Sequence, residues 1–381
     1  MTLKVAHVIT GLTSGGAEMC LYRLLDGMRL RDVQSTVFSL DGPAIYGSRI
    51  AALGVKVRCL GMRPAAPNPM KILQLASWLR GDRPNVVQTW MYHADLVGGI
   101  AARLAGDIPV VWGVRHGDPA STKTRTMLIA RCCALFSSWL PTSIVCCSTA
   151  SISSHAALGY SAKKMKLISN GVDQQIFKID GDARTRLRRE LGFAARAPLS
   201  GMVARYHKVK NFAGFARSAA MVARRHPDAR FVLCGDGLER GNTELMRLLG
   251  QQGVAKQCIL LGERGDIPVV MAALDVLVSP SVSEGFPNVV AEAMSCGVPC
   301  VVTDVGDSAL IVGDTGMVVA PNDDEALADA WIRLLCETPE QRRRRGRKAR
   351  ERIGAEFSIG CMVDKYEALF REVAADTNVL H

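Results

Sequence analysis

Residues 276–303, VLVSPSVSEGFPNVVAEAMSCGVPCVVT, read as a strand, a loop, a helix and a second strand. The flanking runs, Val276 to Ser279 and Cys300 to Thr303, are short and valine-rich, the pattern of strands covered on both faces in a parallel sheet. Between them a helix begins near Pro287, since proline suits a first helical turn whose N–H has no intrahelical partner. Glu284 falls in the loop and Glu292, seven intervening residues later, about one turn into the helix. With the helix starting there, the amides of Asn288 and Val289 are oriented to bind phosphate oxygens. Glu292 is then placed to accept two ribose hydroxyls, and Glu284 to hold the hydroxyls of a second sugar. The plainer alternative is a pair of solvent glutamates on a surface helix.

The same rhythm extends outward in both directions. In the first half, strands are expected near Lys4 to Ile9, Ser35 to Leu40, Lys56 to Leu60, Asn85 to Thr89, Val110 to Gly113, Ile144 to Cys147 and Lys166 to Ile168. In the second they are expected near Ser200 to Ala204, Arg230 to Leu233, Cys258 to Leu261, Val276 to Ser279, Cys300 to Thr303 and Met317 to Val319. Strands alternating with helical patterns predict an α/β protein of two doubly wound, Rossmann-like domains. The stretch SNGVDQQIFKIDGD, residues 169–182, breaks the periodicity at an Asn-Gly turn and reads as a hinge. Domains of 1–175 and 176–360 follow, with a cleft expected between the carboxyl ends of their strands.

Composition agrees with two globular domains: 381 residues, 48% hydrophobic and 22% charged, without a collagen period or solenoid repeat. The first residues run straight into a strand pattern without the apolar core of a signal peptide, which predicts a cytoplasmic protein. Its 12 cysteines then read as reduced thiols, with no CxxC to suggest structural zinc. Charge is uneven. Residues 1–178 hold 20 Lys/Arg against 9 Asp/Glu, whereas residues 179–381 hold 27 of each. A basic first domain suits an anionic partner such as lipid headgroups, a phosphorylated acceptor or nucleic acid, or is plain solvation. From Met127 to Cys147 a single charge, Arg131, interrupts a run long enough to span a bilayer. Pro141 and its serine and threonine neighbours favour a helix ending near Leu140 and a buried strand instead. The arginine-rich string 341–353 alternates with glutamates and reads as a solvated helix face rather than a nucleic-acid patch.

Other strings carry chemistry. In TGLTSGGAE, residues 10–18, Gly15 and Gly16 precede an amphipathic helix and suit either a phosphate at its N-terminus or a plain tight turn. In MVARYHKVKN, residues 202–211, Arg205 and Lys210 lie across a short loop, so that both cations converge on one diphosphate and do the work of a metal. The lone Asp-x-Asp string, Asp180 to Asp182, lies in the hinge and reads as linker. Arg115 and His116 follow a strand end at the cleft face. His116 there suits hydrogen bonding to a reacting sugar or, alternatively, backbone satisfaction. His7 and His93 read as structural.

Taken together these strings resemble family 4 of the retaining glycosyltransferases, nucleotide-sugar enzymes of the GT-B fold. The resemblance runs nearly end to end. It includes GGAE at 15–18, His116, NGVD with Phe177, the Arg205 and Lys210 pair, GDG at 235–237, the Glu284 and Glu292 motif, and a closing pattern around Phe357, Ser358, Tyr366 and Phe370. It implies that the second domain holds the nucleotide sugar, the first holds the acceptor, and residues 361–381 form a helix crossing back to the first domain. Arg205 and Lys210 would stabilise the departing diphosphate, and Glu292 the ribose. Glu284, with the backbone from Phe286 through Pro287 and Asn288 to Val289, would hold donor sugar and phosphates. Gly15 and Gly16 would complete the phosphate site, and His116 would touch the sugar near the reacting carbon. Catalytic roles thus fall on His116, Arg205, Lys210 and Glu284. No metal or other cofactor is expected, and no nucleic acid. The partners implied are a nucleotide-sugar donor, commonly of uridine, and a glycan or polyprenyl-diphosphate-linked acceptor, with peripheral contact at the inner face of an anionic membrane. Asn211 departs from the glycine that many members carry after the lysine, which touches the loop shape. Two other activities suit the same features, a sugar-nucleotide 2-epimerase and a two-domain sugar-binding protein.

Overall fold

A computed structural model describes residues 2–13, 15–62, 68–117, 119, 124–193 and 197–378. The strands are β1 (Leu3–Ile9), β2 (Val33–Ser39), β3 (Lys56–Cys59), β4 (Val86–Trp90), β5 (Val110–Val114), β6 (Ser143–Cys146), β7 (Met165–Leu167), β8 (Leu199–Val203), β9 (Arg230–Cys234), β10 (Cys258–Gly262), β11 (Val276–Ser279), β12 (Cys300–Thr303) and β13 (Met317–Val319). Every expected strand is present, with ends displaced by a residue or two. They form two parallel sheets ordered β3-β2-β1-β4-β5-β6-β7 and β10-β9-β8-β11-β12-β13. In each, the first strand lies inside the sheet and the fourth pairs with its free edge, so the winding reverses between β1 and β4 and again between β8 and β11.

The connecting helices cover both faces. In chain order they are α1 (Gly16–Met28), α2 (Ala44–Ala52), α3 (Pro69–Asp82), α4 (Tyr92–Gly106), α5 (Thr124–Phe136), α6 (Thr149–Ala157), α7 (Gly181–Glu190), α8 (Phe212–Arg225), α9 (Thr243–Gln251), α10 (Ile267–Ala273), α11 (Asn288–Ser295), α12 (Ser308–Val312), α13 (Asp324–Cys336), α14 (Pro339–Glu356) and α15 (Ile359–Asn378). Each sheet has a separate apolar core on either face, as expected of strands that are apolar along their whole length.

The chain divides into one unit of residues 1–171 with 359–381 and another of residues 172–358. The breaks therefore fall after Gly171 and Ser358 rather than after residues 175 and 360. The reason is local: Val172 N–H donates to the Phe357 carbonyl at 2.8 Å, and Val172 bridges to Ser358, so the chain enters and leaves the second unit side by side. Helix α15 belongs to the first unit. Its Met362, Val363, Tyr366, Leu369, Phe370 and Val373 recur at three- and four-residue spacing and are all buried against β1, β4 and α1. At about 1.5–3 kcal/mol for each large apolar side chain, that stripe makes the last helix part of the first core.

Two expectations need correcting. Helix α5 stops at Phe136, short of Leu140, because Ser137 turns its hydroxyl back to the Ala134 carbonyl at 2.7 Å and the chain leaves in a turn. Among the described residues no helix is long and apolar enough to cross a membrane. The arginine-rich string is only partly a solvated face. Arg342, Arg350 and Arg352 donate to carbonyls at the ends of neighbouring helices, and Arg345 pairs with Glu337, so these cations fasten α14 to the second unit. None of the twelve cysteines is in a disulfide.

Candidate functional site

In open α/β sheets ligands bind beyond the carboxyl ends of the strands where the winding reverses. In the second unit those strands are β8 and β11, and the loops leaving them carry Arg205, Lys210 and Glu284. The β8 loop is tightly held. Tyr206 N–H donates to Asp236 O at 2.7 Å, and Lys210 closes a 3-10 turn, Lys208–Lys210. Asn211 follows at φ 54°, ψ 53°, the left-handed region that glycine takes freely and asparagine tolerates. Its Oδ1 accepts from Gly214 N at 3.0 Å and caps α8. The asparagine thus preserves the turn that glycine would make and adds a cap.

Val282 N–H donates to Val209 O at 2.8 Å, clipping the β11 loop to the β8 loop. Beside that clip, Lys210 Nζ meets Glu284 Oε1 at 2.6 Å, and Ser281 Oγ donates to the same oxygen at 2.6 Å. The pair is largely enclosed, with side chains 19% and 11% exposed. Arg205 is exposed and makes no hydrogen bond or ion pair among the described residues. The structure therefore joins one of the two expected cations to Glu284 and leaves the other guanidinium facing solvent. The GDG string lies directly under this loop: a Cβ on Gly235, whose φ is +142°, would stand 2.1 Å from Ala204 O.

Helix α11 begins where expected. Pro287 occupies its N-cap position with no side-chain cap, and Asn288 and Val289 begin the first turn, the end of a helix that favours anions. Phe286 is buried with its ring 5.8 Å from that of Phe357, so its side chain belongs to the core and its backbone alone can serve a ligand. Glu292 is buried within the helix, 8% exposed. Asp180 caps α7 by accepting from Ala183 N at 2.8 Å, which gives the Asp-x-Asp string a structural role.

In the first unit, Gly15 N-caps α1 and Gly16 is its first residue. Gly15 is extended at φ −172°, a conformation any residue adopts, so no glycine-demanding turn occurs there. His116 follows β5. Its ring lies against Tyr92 with centroids 5.4 Å apart and planes at 22°, and burial lowers its pKa, which keeps the imidazole neutral near pH 7. Among the described residues its ring makes no hydrogen bond, while its carbonyl accepts from Ser151 Oγ at 2.8 Å. Its neighbour Arg115 is structural: it donates to Asn170 Oδ1 at 3.0 Å and to the Tyr366 hydroxyl, and lies 4.5 Å over the Trp90 ring. His7 is fully buried, with Nδ1 accepting from Trp90 Nε1 at 3.4 Å, and burial pushes its pKa down to about 3. His93 lies in α4 with its pKa lowered by burial.

Several residues escaped the sequence reading. Thr303 Oγ1 donates to Ser281 O at 2.5 Å, and Asp307 N–H to Gly285 O at 2.9 Å. Gly306, at φ +58°, approaches so closely that a Cβ would stand 2.5 Å from Gly285 O and 2.6 Å from Glu284 O. The loop after β12 therefore supports the loop carrying Glu284. A glycine just past a strand end, in TDVGD, was the available signal. Asp95 is a second omission. It is fully buried, accepts from Thr89 Oγ1 at 2.5 Å and Gly113 N at 3.3 Å, and burial pushes its pKa up to about 8.

Two family patterns match the chain: Glycosyltransferase Family 4 over residues 14–176 and Glycosyl transferases group 1 over residues 197–337. The chain is 29% identical over 321 residues to UDP-Gal:alpha-D-GlcNAc-diphosphoundecaprenol alpha-1,3-galactosyltransferase of Escherichia coli, covering 80% of each chain. It is 29% identical over 217 residues to N-acetyl-alpha-D-glucosaminyl L-malate synthase of Bacillus anthracis, covering 56% of this chain and 55% of that one. Its fold matches the Anabaena protein HepE, solved in complex with UDP, with a TM-score of 0.84 at 22% identity over 97% of this chain and 100% of that one. With two doubly wound parallel sheets and both halves matched, the chain belongs to the family 4 glycosyltransferases and has their GT-B fold.

Proposed function

We propose that this glycosyltransferase moves a sugar from a UDP-sugar donor to a lipid-diphosphate-linked or glycan acceptor, with retention at the anomeric carbon and no metal, in making a cell-surface polysaccharide. The observation that carries the reading is the Lys210–Glu284 pair at the reversal of the second sheet. A carboxylate able to accept sugar hydroxyls and an ammonium able to meet a diphosphate share one small loop cluster there, with the uncapped first turn of α11 further along the same loop. Uridine and a diphosphate-lipid acceptor are supported by the name of the Escherichia coli relative, and retention by family membership.

The chemistry follows from charge. As the bond to the anomeric carbon breaks, negative charge grows on the diphosphate and positive charge on the sugar ring. Groups already aimed at those positions favour the transition state over the ground state. Lys210 would meet the diphosphate oxygens, with Arg205 reaching it once a ligand is present. The amides at Asn288 and Val289 would take the phosphates and Glu292 the ribose. Glu284 would hold the donor sugar, and within the first unit Gly15, Gly16 and the neutral imidazole of His116 would bind substrate groups.

The test is direct. The purified protein is incubated with labelled UDP-sugars and with GDP-sugars, with and without a diphosphate-lipid acceptor and with and without EDTA, and the anomeric configuration of the product is read by NMR. Transfer from a UDP-sugar that survives EDTA and yields the donor's own anomeric configuration is expected. Conversion of donor in the absence of acceptor would indicate an epimerase instead, and loss of transfer on chelation would overturn the metal-free reading.

A further inference from the structure

The imidazole of His116 rests on a side chain that is itself locked. The Tyr92 ring beneath it lies within 22° of parallel, with centroids 5.4 Å apart. Among the described residues the His116 ring makes no hydrogen bond, so the tyrosine covers a face and leaves the nitrogens to a ligand. Tyr92 is 1% exposed. A buried tyrosine hydroxyl usually finds a partner, and here it meets His155 Nε2 at 2.7 Å. His155 is fully buried, and its Nδ1 lies 2.7 Å from the Ser151 carbonyl. A carbonyl only accepts, so Nδ1 carries a proton. In the neutral imidazole Nε2 is then the acceptor, and the Tyr92 hydroxyl donates to it. The tyrosine ring is thereby fixed at its outer end.

Its backbone end is fixed as well. Tyr92 opens α4 directly after Met91, which takes φ 75°, ψ 155°, a region that residues with side chains avoid. Met91 N–H donates to Gly113 O at 2.9 Å and Asp95 N–H to Met91 O at 2.9 Å, so β5 and α4 hold this residue from both sides. The peptide that carries His116 is held from a third direction. Ser151 Oγ donates to the His116 carbonyl at 2.8 Å, and Ser154 Oγ to the Gly117 carbonyl at 2.6 Å. Both serines stand on α6, as does His155, so one helix fastens the loop and the tyrosine together. Filling the space under His116 requires only an apolar side chain; a tyrosine tied to a buried histidine adds orientation.

We propose that Tyr92 is a positioning residue for sugar transfer, setting the plane of the His116 imidazole while Ser151 and Ser154 set the peptide that carries it. This positioning rests on the substrate role proposed above for His116 and adds how the ring is aimed. A group that meets a reacting substrate must be held within about 0.5 Å of its productive place by residues whose own conformations are locked. An imidazole alone turns about two side-chain bonds. The stack restricts that turning, and the two serines keep the loop from carrying the ring away.

The test is a mutant cycle on the full chain, with transfer measured from a UDP-sugar to a diphosphate-lipid acceptor. His116→Ala and Tyr92→Leu should each lower kcat at least about tenfold, the second with KM for the donor within about twofold of wild type. In the His116→Ala background Tyr92→Leu should cost less than about twofold more, because a residue acting through His116 then has nothing to position. Tyr92→Phe keeps the ring and should lose less than about fivefold, and Ser151→Ala/Ser154→Ala should fall between the two tyrosine variants. Isotope-labelled histidine reads the geometry directly. Of the seven histidines, His116 is assigned by the resonance that His116→Ala removes; the Tyr92 ring should shift it upfield, Tyr92→Leu should return it downfield, and Tyr92→Phe should leave it in place. Full transfer by Tyr92→Leu, losses that multiply in the double variant, or a His116 resonance indifferent to Tyr92→Leu would overturn the positioning role and leave the substrate role of His116 standing. Full transfer by His116→Ala would remove that substrate role and the proposal with it. Should the thermal midpoint show that Tyr92→Leu does not fold, the serine pair carries the same cycle with the same outcomes.

Discussion

Lys210 and Glu284 lie 2.6 Å apart on the loops leaving β8 and β11, so the ammonium assigned to the diphosphate is neutralised by the carboxylate assigned to the sugar. A diphosphate entering the site must share Lys210 with Glu284 or take it away, and meets carboxylate repulsion while doing so. Glu284→Gln is therefore expected to bind UDP more tightly, by at least about threefold or roughly 0.7 kcal/mol, while transfer falls at least about tenfold because a neutral amide accepts from the sugar hydroxyls more weakly than a carboxylate. Lys210→Ala should weaken UDP binding and lower turnover by at least about tenfold, the scale of one lost charge-stabilising group. Calorimetric titration with UDP beside initial-rate kinetics separates the roles. If Glu284→Gln lost affinity and rate together, the carboxylate would be a mere holder of the lysine.

Gly306 touches no proposed substrate group, yet it lies against the carbonyls of Glu284 and Gly285 at a φ of +58°. Alanine there meets both a left-handed backbone, at about 1–2 kcal/mol, and two backbone oxygens that cannot move without shifting Glu284. Gly306→Ala is expected to reduce transfer at least about tenfold and to lower the thermal midpoint. Gly250→Ala is the control. It lies within α9 with nothing near the added methyl, so it should leave transfer intact and raise stability by about 0.5–1 kcal/mol.

Much of this was legible in the sequence because the signals were local. The strands of a two-face-covered sheet are apolar along their whole length, so Val276 to Ser279 and Cys300 to Thr303 could be bounded to the residue. Pro287 marked the start of α11 for an equally local reason. What escaped depends on contacts between segments distant in sequence. The support of Glu284 by Thr303 and Gly306, the pairing of Val172 with Ser358 that moves the domain break, and the fastening of α14 by Arg350 and Arg352 all pair residues whose local strings say nothing of each other. Arg115 shows the same limit. From its position after β5 it shared the expectation attached to His116, but only the fold reveals that Tyr366, far along the chain, occupies it.

Asp95 gives the stability of the first unit a pH dependence of known sign. The unfolded chain ionises this carboxyl near 3.8, whereas burial holds it protonated to about 8 in the native protein. Between those values the native state carries a proton that the unfolded chain has lost, so stability declines as pH rises through the window and the loss is complete above it. Asp95→Asn keeps an oxygen to accept from Thr89 and Gly113 and has no proton to lose. The thermal midpoint of the variant relative to the wild type should therefore rise steadily from about pH 5 to pH 9, by an amount equivalent to at least about 1 kcal/mol. A constant difference would show that another group governs the slope.

Arg115 joins three parts of the first unit: the loop bearing His116, the Asn170 turn before the domain break, and Tyr366 on the returning α15. The next residue of that turn is also tied to the helix and the core, since Gly171 N–H meets Met362 Sδ at 3.2 Å and Arg23 donates to Gly171 O at 3.1 Å. Tyr366→Phe keeps the ring, which lies stacked 6.1 Å from Trp90, and removes only the oxygen that satisfies the guanidinium. A hydrogen bond to a charged group contributes about 1.5–3 kcal/mol, so α15 should detach more readily while its apolar stripe still holds it in the native state. Hydrogen exchange is expected to accelerate at least about tenfold in peptides of α15 and residues 167–171, with peptides of β8 through β13 unchanged. Arg115→Lys should produce the same pattern more strongly, because one ammonium cannot span both Asn170 and Tyr366. Uniform acceleration across both units would mean that the helix is not released locally and that this guanidinium stabilises the chain only as a whole.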